Sequence, residues 1–411
     1  MNNLLQRLMK EATRLTKSGQ LHAATEAIQR ALRSDASPTT GPGPASHSAP
    51  LAASDPARSP VKSNNSGVVI DGYARFIDES VSATTTATTP VSRFDNDPDN
   101  DVAYVQPAGP QAPLESQPER WTDGSFNHQG RTLAYKLYVP PRPAGAPPTA
   151  RPLVLMLHGC TQNPGDFAAG TQMNALAREQ GFVVLYPQQT QHANAQKCWN
   201  WFKPQHQRRG HGEPAVLAAL TQAVMAEEGI DPARVYVAGL SAGGAMADIM
   251  GRCYPDLFAA VGVHSGLPSG AADGVMSALS AMRSGTSAAP APLGHGAMPP
   301  VIVFHGDADA TVHPRNGGSV VSAARGPQGA DDPAPRITQG SSAQGQRYTQ
   351  TVYATTDGEG GRQRTVEHWL LHGAGHAWSG GSAAGSYTDP TGTDASVEMM
   401  RFFMAHPGGQ S

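Results

Sequence analysis

The chain has 411 residues, with 30 Lys plus Arg against 33 Asp plus Glu and a formal charge of −3. That balance offers no basic stripe to displace counterions from phosphates, so no nucleic-acid partner is expected. Charged residues make up only 15%, and 45 Gly with 35 Pro forecast long irregular stretches beside one large α/β domain.

Residues 1–33 read as a helical hairpin of unassigned role. Leu5, Leu8, Ala12 and Leu15 form one apolar stripe, and Ala24, Ala27, Ile28, Ala31 and Leu32 form a second beyond Gly19. Lys10, Glu11 and Arg14 interrupt the start before any apolar core of a signal peptide can form. No run reaches the ~18 apolar residues of a membrane-spanning helix. The expectation from these features is a cytoplasmic protein with no membrane span. Residues 34–117, rich in Pro, Ser, Ala and Gly, read as a mostly irregular linker with short apolar islands at 67–70 and 73–77. Cys160, Cys198 and Cys253 match no zinc spacing, and neither metal nor cofactor is expected.

Residues 118–408 read as the folded domain. The alternation in FNHQGRTLAYKLYVP predicts an antiparallel hairpin about Gln129-Gly130. Continuous apolar runs follow at 153–157, 182–186, 234–238, 259–263, 301–304 and 366–371. Helical patterns lie between or after them at 168–180, 214–228, 242–252, 314–324 and 393–405. Buried strands alternating with helices predict a mostly parallel sheet covered on both faces, with chemistry at the carboxyl ends of the strands.

At one such end stands Gly239-Leu240-Ser241-Ala242-Gly243, the one GxSxG in the chain, between a strand and a helix. This is the setting of the nucleophile elbow of α/β-hydrolases. The turn projects the Ser241 hydroxyl, and side chains at 239 and 243 would collide with backbone. The oxyanion donors are expected to be the N–H of Ala242 and that of Cys160 or Thr161, in the His158-Gly159 turn that closes strand 153–157. His158 reads as a structural residue of that turn. For the acid, Asp307 and Asp309 compete in HGDADATV. The HGxxDxxV spacing of these hydrolases favours Asp309, leaving Asp307 to brace the turn. For the base, the order Ser, acid, His leaves His372 and His376; His376, in a glycine-flanked loop, is the candidate. Trp199, Trp201 and Trp378 are expected to line an apolar cleft, the alternative being that the pair in CWNWF packs beneath its loop. A bridge between Cys160 and Cys198 is open, though disfavoured in a reducing cytosol.

Taken together, HGCTQNP, CWNWF, GLSAGGAMA, HGDADATV and GAGHAWSGG resemble the poly(3-hydroxybutyrate) depolymerase family of esterases, over about residues 120–405. The resemblance implies the α/β-hydrolase fold and carboxylic ester hydrolysis by a Ser241, Asp309, His376 triad. Its substrate would be the polyester or short hydroxyalkanoate esters. The same branch includes feruloyl and acetyl-xylan esterases, which is the alternative. An acyltransferase or a catalytically silent scaffold are readings from other classes. Secreted depolymerases of the family carry a signal peptide, and here the additional segment is N-terminal; the hairpin at 1–33 is expected to tether the enzyme to a polyester granule.

Overall fold

The computed structural model describes residues 116–145, 149–286, 298–326, 332–356 and 363–408, with the backbone of a short strand at 68–70. The chain divides into two units, 1–64 and 65–411. The hairpin read at 1–33 and nearly all of the linker read at 34–117 lie outside the described residues.

Strand β1 (Val68–Ile70) runs parallel to β2 (Arg120–His128), which pairs with β3 (Arg131–Val139) in the expected hairpin. Gln129 and Gly130 both have positive φ (50° and 72°), the conformation that two-residue hairpins favour. The parallel core consists of β4 (Arg151–Leu157), β5 (Val183–Gln188), β6 (Ile230–Leu240), β7 (Ala260–His264), β8 (Val301–Gly306) and β11 (Gln363–Leu371). Its order is β5-β4-β6-β7-β8-β11. The antiparallel strands β10 (Arg347–Thr356) and β9 (Arg336–Ser341) extend it beyond β11.

Alternate residues of each core strand feed opposite faces. Leu153, Leu155 and Leu157 pack with α3 (Gly212–Glu228), α4 (Ala242–Cys253), α5 (Val275–Ser284) and α6 (Arg315–Arg325). Val154 and Met156 pack on the other side with α1 (Pro164–Thr171), α2 (Met173–Gln180) and α7 (Ala395–Ala405). Among the described residues no helix is long and apolar enough to cross a membrane.

Register brings the ends of the strands level. Leu157 pairs with Gly239, Leu240 with His264, His264 with Phe304, and Gly306 with Leu371. The loops that leave these four junctions therefore meet along one edge.

Three local features depart from the expectation. The helix read at 168–180 is two helices, starting four residues earlier, where the Asn163 side chain caps the Asp166 N–H, and breaking at Gln172 (φ 55°). β9 and β10 were not foreseen because their side chains are largely exposed or half-buried and carry no continuous apolar run. α5 was also missed: Val275, Met276 and Leu279 are exposed, and only Ala278 and Ala281 are buried.

Candidate active site

Ser241 joins β6 to α4 in an uncommon conformation, φ 58° and ψ −118°. Such strain persists only where the surroundings over-determine it. Here the cause is close packing. A Cβ on Gly243 would overlap the carbonyl oxygen of Leu157, and one on Gly239 would overlap the backbone of Gly243. The Ser241 N–H donates to the His264 carbonyl (2.9 Å), which fixes the elbow to the end of β7. Ala242 is the first helical residue, so its N–H has no partner within the helix.

The turn after β4 lies against this elbow; a Cβ on Gly159 would stand 3.7 Å from that of Ser241. The turn is held from several sides. Gly159 N–H donates to Gln162 Oε1 (2.9 Å), and Thr161 N–H donates to the Gln196 carbonyl (2.6 Å). Thr161 is thereby spent as an oxyanion donor. The Cys160 N–H makes no hydrogen bond to the described protein, and the Cys160 side chain is bridged to Cys198. His158 accepts the Gln189 N–H at Nε2 (3.1 Å), so Nδ1 carries the proton and donates to the Gly159 carbonyl (2.7 Å). Burial pushes the His158 imidazole down to about 4, consistent with this neutral tautomer. Gln189 in turn donates to the buried Glu213 carboxylate, which also accepts the Asn200 backbone and side-chain N–H groups.

Asp309 follows β8 and its carboxylate is fully buried. Oδ2 accepts His376 Nδ1–H (2.7 Å), while Oδ1 accepts the N–H groups of Thr311 (2.9 Å) and Val312 (2.8 Å). His305 Nε2 lies 3.5 Å from Oδ2 and donates to the Val312 carbonyl. Burial alone would raise this carboxyl; the donors from His305, His376 and Val312 outweigh it and hold Asp309 well below the usual carboxylate range. Asp307 instead pairs with His372 (2.9 Å), whose other nitrogen meets Thr349 Oγ1 (2.9 Å). The structure thus brings Asp309 and His376 together beside the elbow. The last link, His376 Nε2 to Ser241 Oγ, is not closed by a hydrogen bond among the described residues; such links commonly tighten once substrate is seated.

The tryptophans stand elsewhere than expected. Trp199 and Trp378 are wholly buried and Trp201 nearly so. Trp199 packs by His158, Trp201 meets Phe202 edge-on, and Trp378 sits between Phe167 and His264 with Nε1 donating to Ser396 Oγ. The expectation that they line a cleft is corrected: their faces are occupied by the protein itself. Composition cannot tell a stacking surface from a packed ring.

His264 was missed. Besides its carbonyl bond to Ser241, its Nε2 accepts the Ser379 N–H (3.0 Å) from the loop that carries His376. Its ring stacks on Phe304 and Trp378. The available signal was a histidine at the carboxyl end of a strand next to the elbow. Among the described residues no group of three or more His, Cys, Asp or Glu could hold a metal ion.

Comparison with known proteins agrees with this architecture. Residues 133–334 match the family model Esterase PHB depolymerase. The chain is 35% identical over 245 residues to poly(3-hydroxyalkanoate) depolymerase C of Paucimonas lemoignei, covering 57% of this chain and 56% of that protein. It is 35% identical over 175 residues to poly(3-hydroxybutyrate) depolymerase of Ralstonia pickettii, covering 41% and 35%. The matches thus span about half or less of these curated relatives. An acetyl xylan esterase structure from Aspergillus awamori superposes with TM-score 0.51 at 20% identity, over 66% of this chain and 94% of that one, a likeness of fold. Over residues 133–334 the α/β domain of this chain is thus similar to the Esterase PHB depolymerase family.

Proposed function

We propose that the chain is a serine carboxylic-ester hydrolase that cleaves poly(3-hydroxybutyrate) or short hydroxyalkanoate esters through an acyl-enzyme. The observation that carries this reading is the Asp309–His376 pair beside the strained Ser241, with the N–H groups of Cys160 and Ala242 left for an oxyanion. Ser241 Oγ attacks the ester carbonyl as its proton passes to His376 Nε2. Charge then gathers on the carbonyl oxygen, where the two N–H groups stabilise it; one such donor is worth about 100- to 1000-fold in rate. His376 hands the proton to the departing alkoxide as the C–O bond breaks. Water repeats the sequence on the acyl-Ser241 ester, releasing the acid. Asp309 keeps Nδ1 protonated, so that Nε2 faces the reaction, and balances the transient imidazolium.

The family-model match and the names of the relatives support the polyester as substrate. Hydrolysis of 4-nitrophenyl butyrate and clearing of a poly(3-hydroxybutyrate) suspension, by wild type and Ser241→Ala, test it. Both activities in the wild type and neither in the variant are expected. Activity on the small ester alone would move the substrate to soluble esters, with feruloyl and acetyl-xylan panels next. We further propose that residues 1–33 tether the enzyme to polyester granules, which co-sedimentation of a 1–33 deletion tests. The Cys160–Cys198 bridge favours an oxidising compartment over the cytoplasm expected from the N-terminal residues.

A further inference from the structure

The three tryptophans are sealed in the core, and the segment after His376 instead brings an exposed aromatic side chain to the turn beside Ser241. Residues 382–389 double back onto the turn that carries the oxyanion donor. Ser386 N–H and Oγ–H donate to the Asp166 carboxylate, and Gln162 Nε2 donates to the Ser386 carbonyl (3.0 Å). Gln162 is the residue whose Oε1 holds Gly159 beside Ser241. Clamped in this way, Tyr387 takes a left-handed backbone (φ 53°), unfavourable for a bulky residue, while its carbonyl accepts the Trp378 N–H (2.7 Å). The outcome of this strain is outward display. The Tyr387 side chain is 46% exposed, and its hydroxyl lies 3.2 Å from Thr161 Oγ1, next to Cys160. One aromatic ring therefore spans from the base loop to the oxyanion turn, the two loops that flank Ser241.

We propose that Tyr387 is a specificity-determining residue whose ring packs against the aliphatic chain of the ester beyond the scissile carbonyl. The proposal rests on the esterase reading above. The face of the ring suits alkyl groups, and the hydroxyl tip, tied to Thr161, keeps that face at a fixed distance from the oxyanion donor. A two-carbon acyl group is too short to cover the ring, whereas a longer chain removes its face from water.

The test compares kcat/KM for 4-nitrophenyl acetate and 4-nitrophenyl octanoate in the wild type, Tyr387→Phe, Tyr387→Ala and Tyr387→Asn. Asparagine tolerates the left-handed backbone, so it removes the ring without adding strain; thermal unfolding checks each fold. Loss of one ring face from a buried contact is expected to lower the octanoate-to-acetate ratio about tenfold in the Ala and Asn variants. Tyr387→Phe keeps the ring face and loses only the tie to Thr161, so it should keep the octanoate-to-acetate ratio within about threefold of wild type. An equal loss on both esters in the Asn variant would overturn the proposal, leaving Tyr387 as a clamp on the loop alone. A wild type inactive on every ester would instead overturn the esterase reading, and this proposal with it.

Discussion

Asp307 and His372 pair at 2.9 Å directly outside the Asp309–His376 pair, so the loops after β8 and β11 are joined by two carboxylate–imidazole rungs. The two rungs differ in burial. Asp309 is sealed from water, while Asp307 and His372 are part exposed and Asp307 also accepts the Gly373 N–H (2.6 Å). An exposed pair contributes little free energy, and its geometry is what matters. The outer rung aligns the loops, and in the proposed reaction the inner one balances the charge on His376.

The two carboxylates should therefore separate kinetically. Asp309→Asn leaves the shape intact but presents the wrong tautomer of His376, with an expected kcat loss of about 10,000-fold. Asp307→Asn still accepts from Gly373 and should lose less than about tenfold. Steady-state rates on 4-nitrophenyl butyrate decide; comparable losses would mean the roles have been assigned to the wrong rungs.

Acid should destabilise the fold before any carboxylate of the site is protonated. Burial pushes His158 to about 4 and His264 to about 3, against about 6.5 when unfolded. Between those values the unfolded chain binds protons that the native state refuses, so stability is full above pH ~6.5 and falls toward pH ~4. At pH 5 each histidine costs on the order of 2 kcal/mol. Urea unfolding at pH 7.5 and 5.0 should show the decline, reduced by about that amount in His264→Asn. Equal declines in the two proteins would remove His264 from this account.

The Cys160–Cys198 bridge closes a separation of 38 residues, for which the chain-entropy model gives about 4 kcal/mol. It also pins Cys160, whose N–H is the proposed oxyanion donor. Cys198→Ser should lower both Tm and kcat while leaving KM within about twofold, because the donor acts most strongly in the transition state. A changed KM with kcat intact would place the bridge at substrate binding instead.

Much of this site was legible because its chemistry dictates its sequence. The elbow demands glycines at 239 and 243 for reasons of contact, and the apolar runs at 153–157, 234–238 and 301–304 mark strands buried on both faces. The pairing of Asp309 with His376, rather than with His372, follows from chain order and loop position. What could not be read depends on distance between segments. Trp199 and Trp378 look identical in sequence whether they face substrate or Phe167 and His158. Thr161 could not be separated from Cys160 until its N–H was found on Gln196. β9 and β10 are held by ladder hydrogen bonds to a neighbour, and those leave no periodic trace in a polar segment.

His264 ties the Ser241 elbow to the loop that carries His376, and its loss should be felt in the rate of the proposed reaction. Its backbone carbonyl holds Ser241, a bond that any residue at 264 retains; its ring alone reaches Ser379 and stacks on Trp378, two residues past His376. Because Nε2 accepts from Ser379, the Nδ1 proton is directed to Ser265 Oγ (3.2 Å), so the ring must be neutral to serve. His264→Ala leaves the Ser379 N–H buried without a partner and opens space beside Trp378, freeing the base loop to drift. The expected result is a kcat loss of about 100-fold, the scale on which small misplacements of catalytic groups act, with KM nearly unchanged. A readout of position is the low-field proton resonance of the Asp309–His376 hydrogen bond, which should shift or broaden in His264→Ala. If that resonance and kcat both persist while only Tm falls, His264 is a packing residue and the base loop is held by Tyr387 and Asp307 without it.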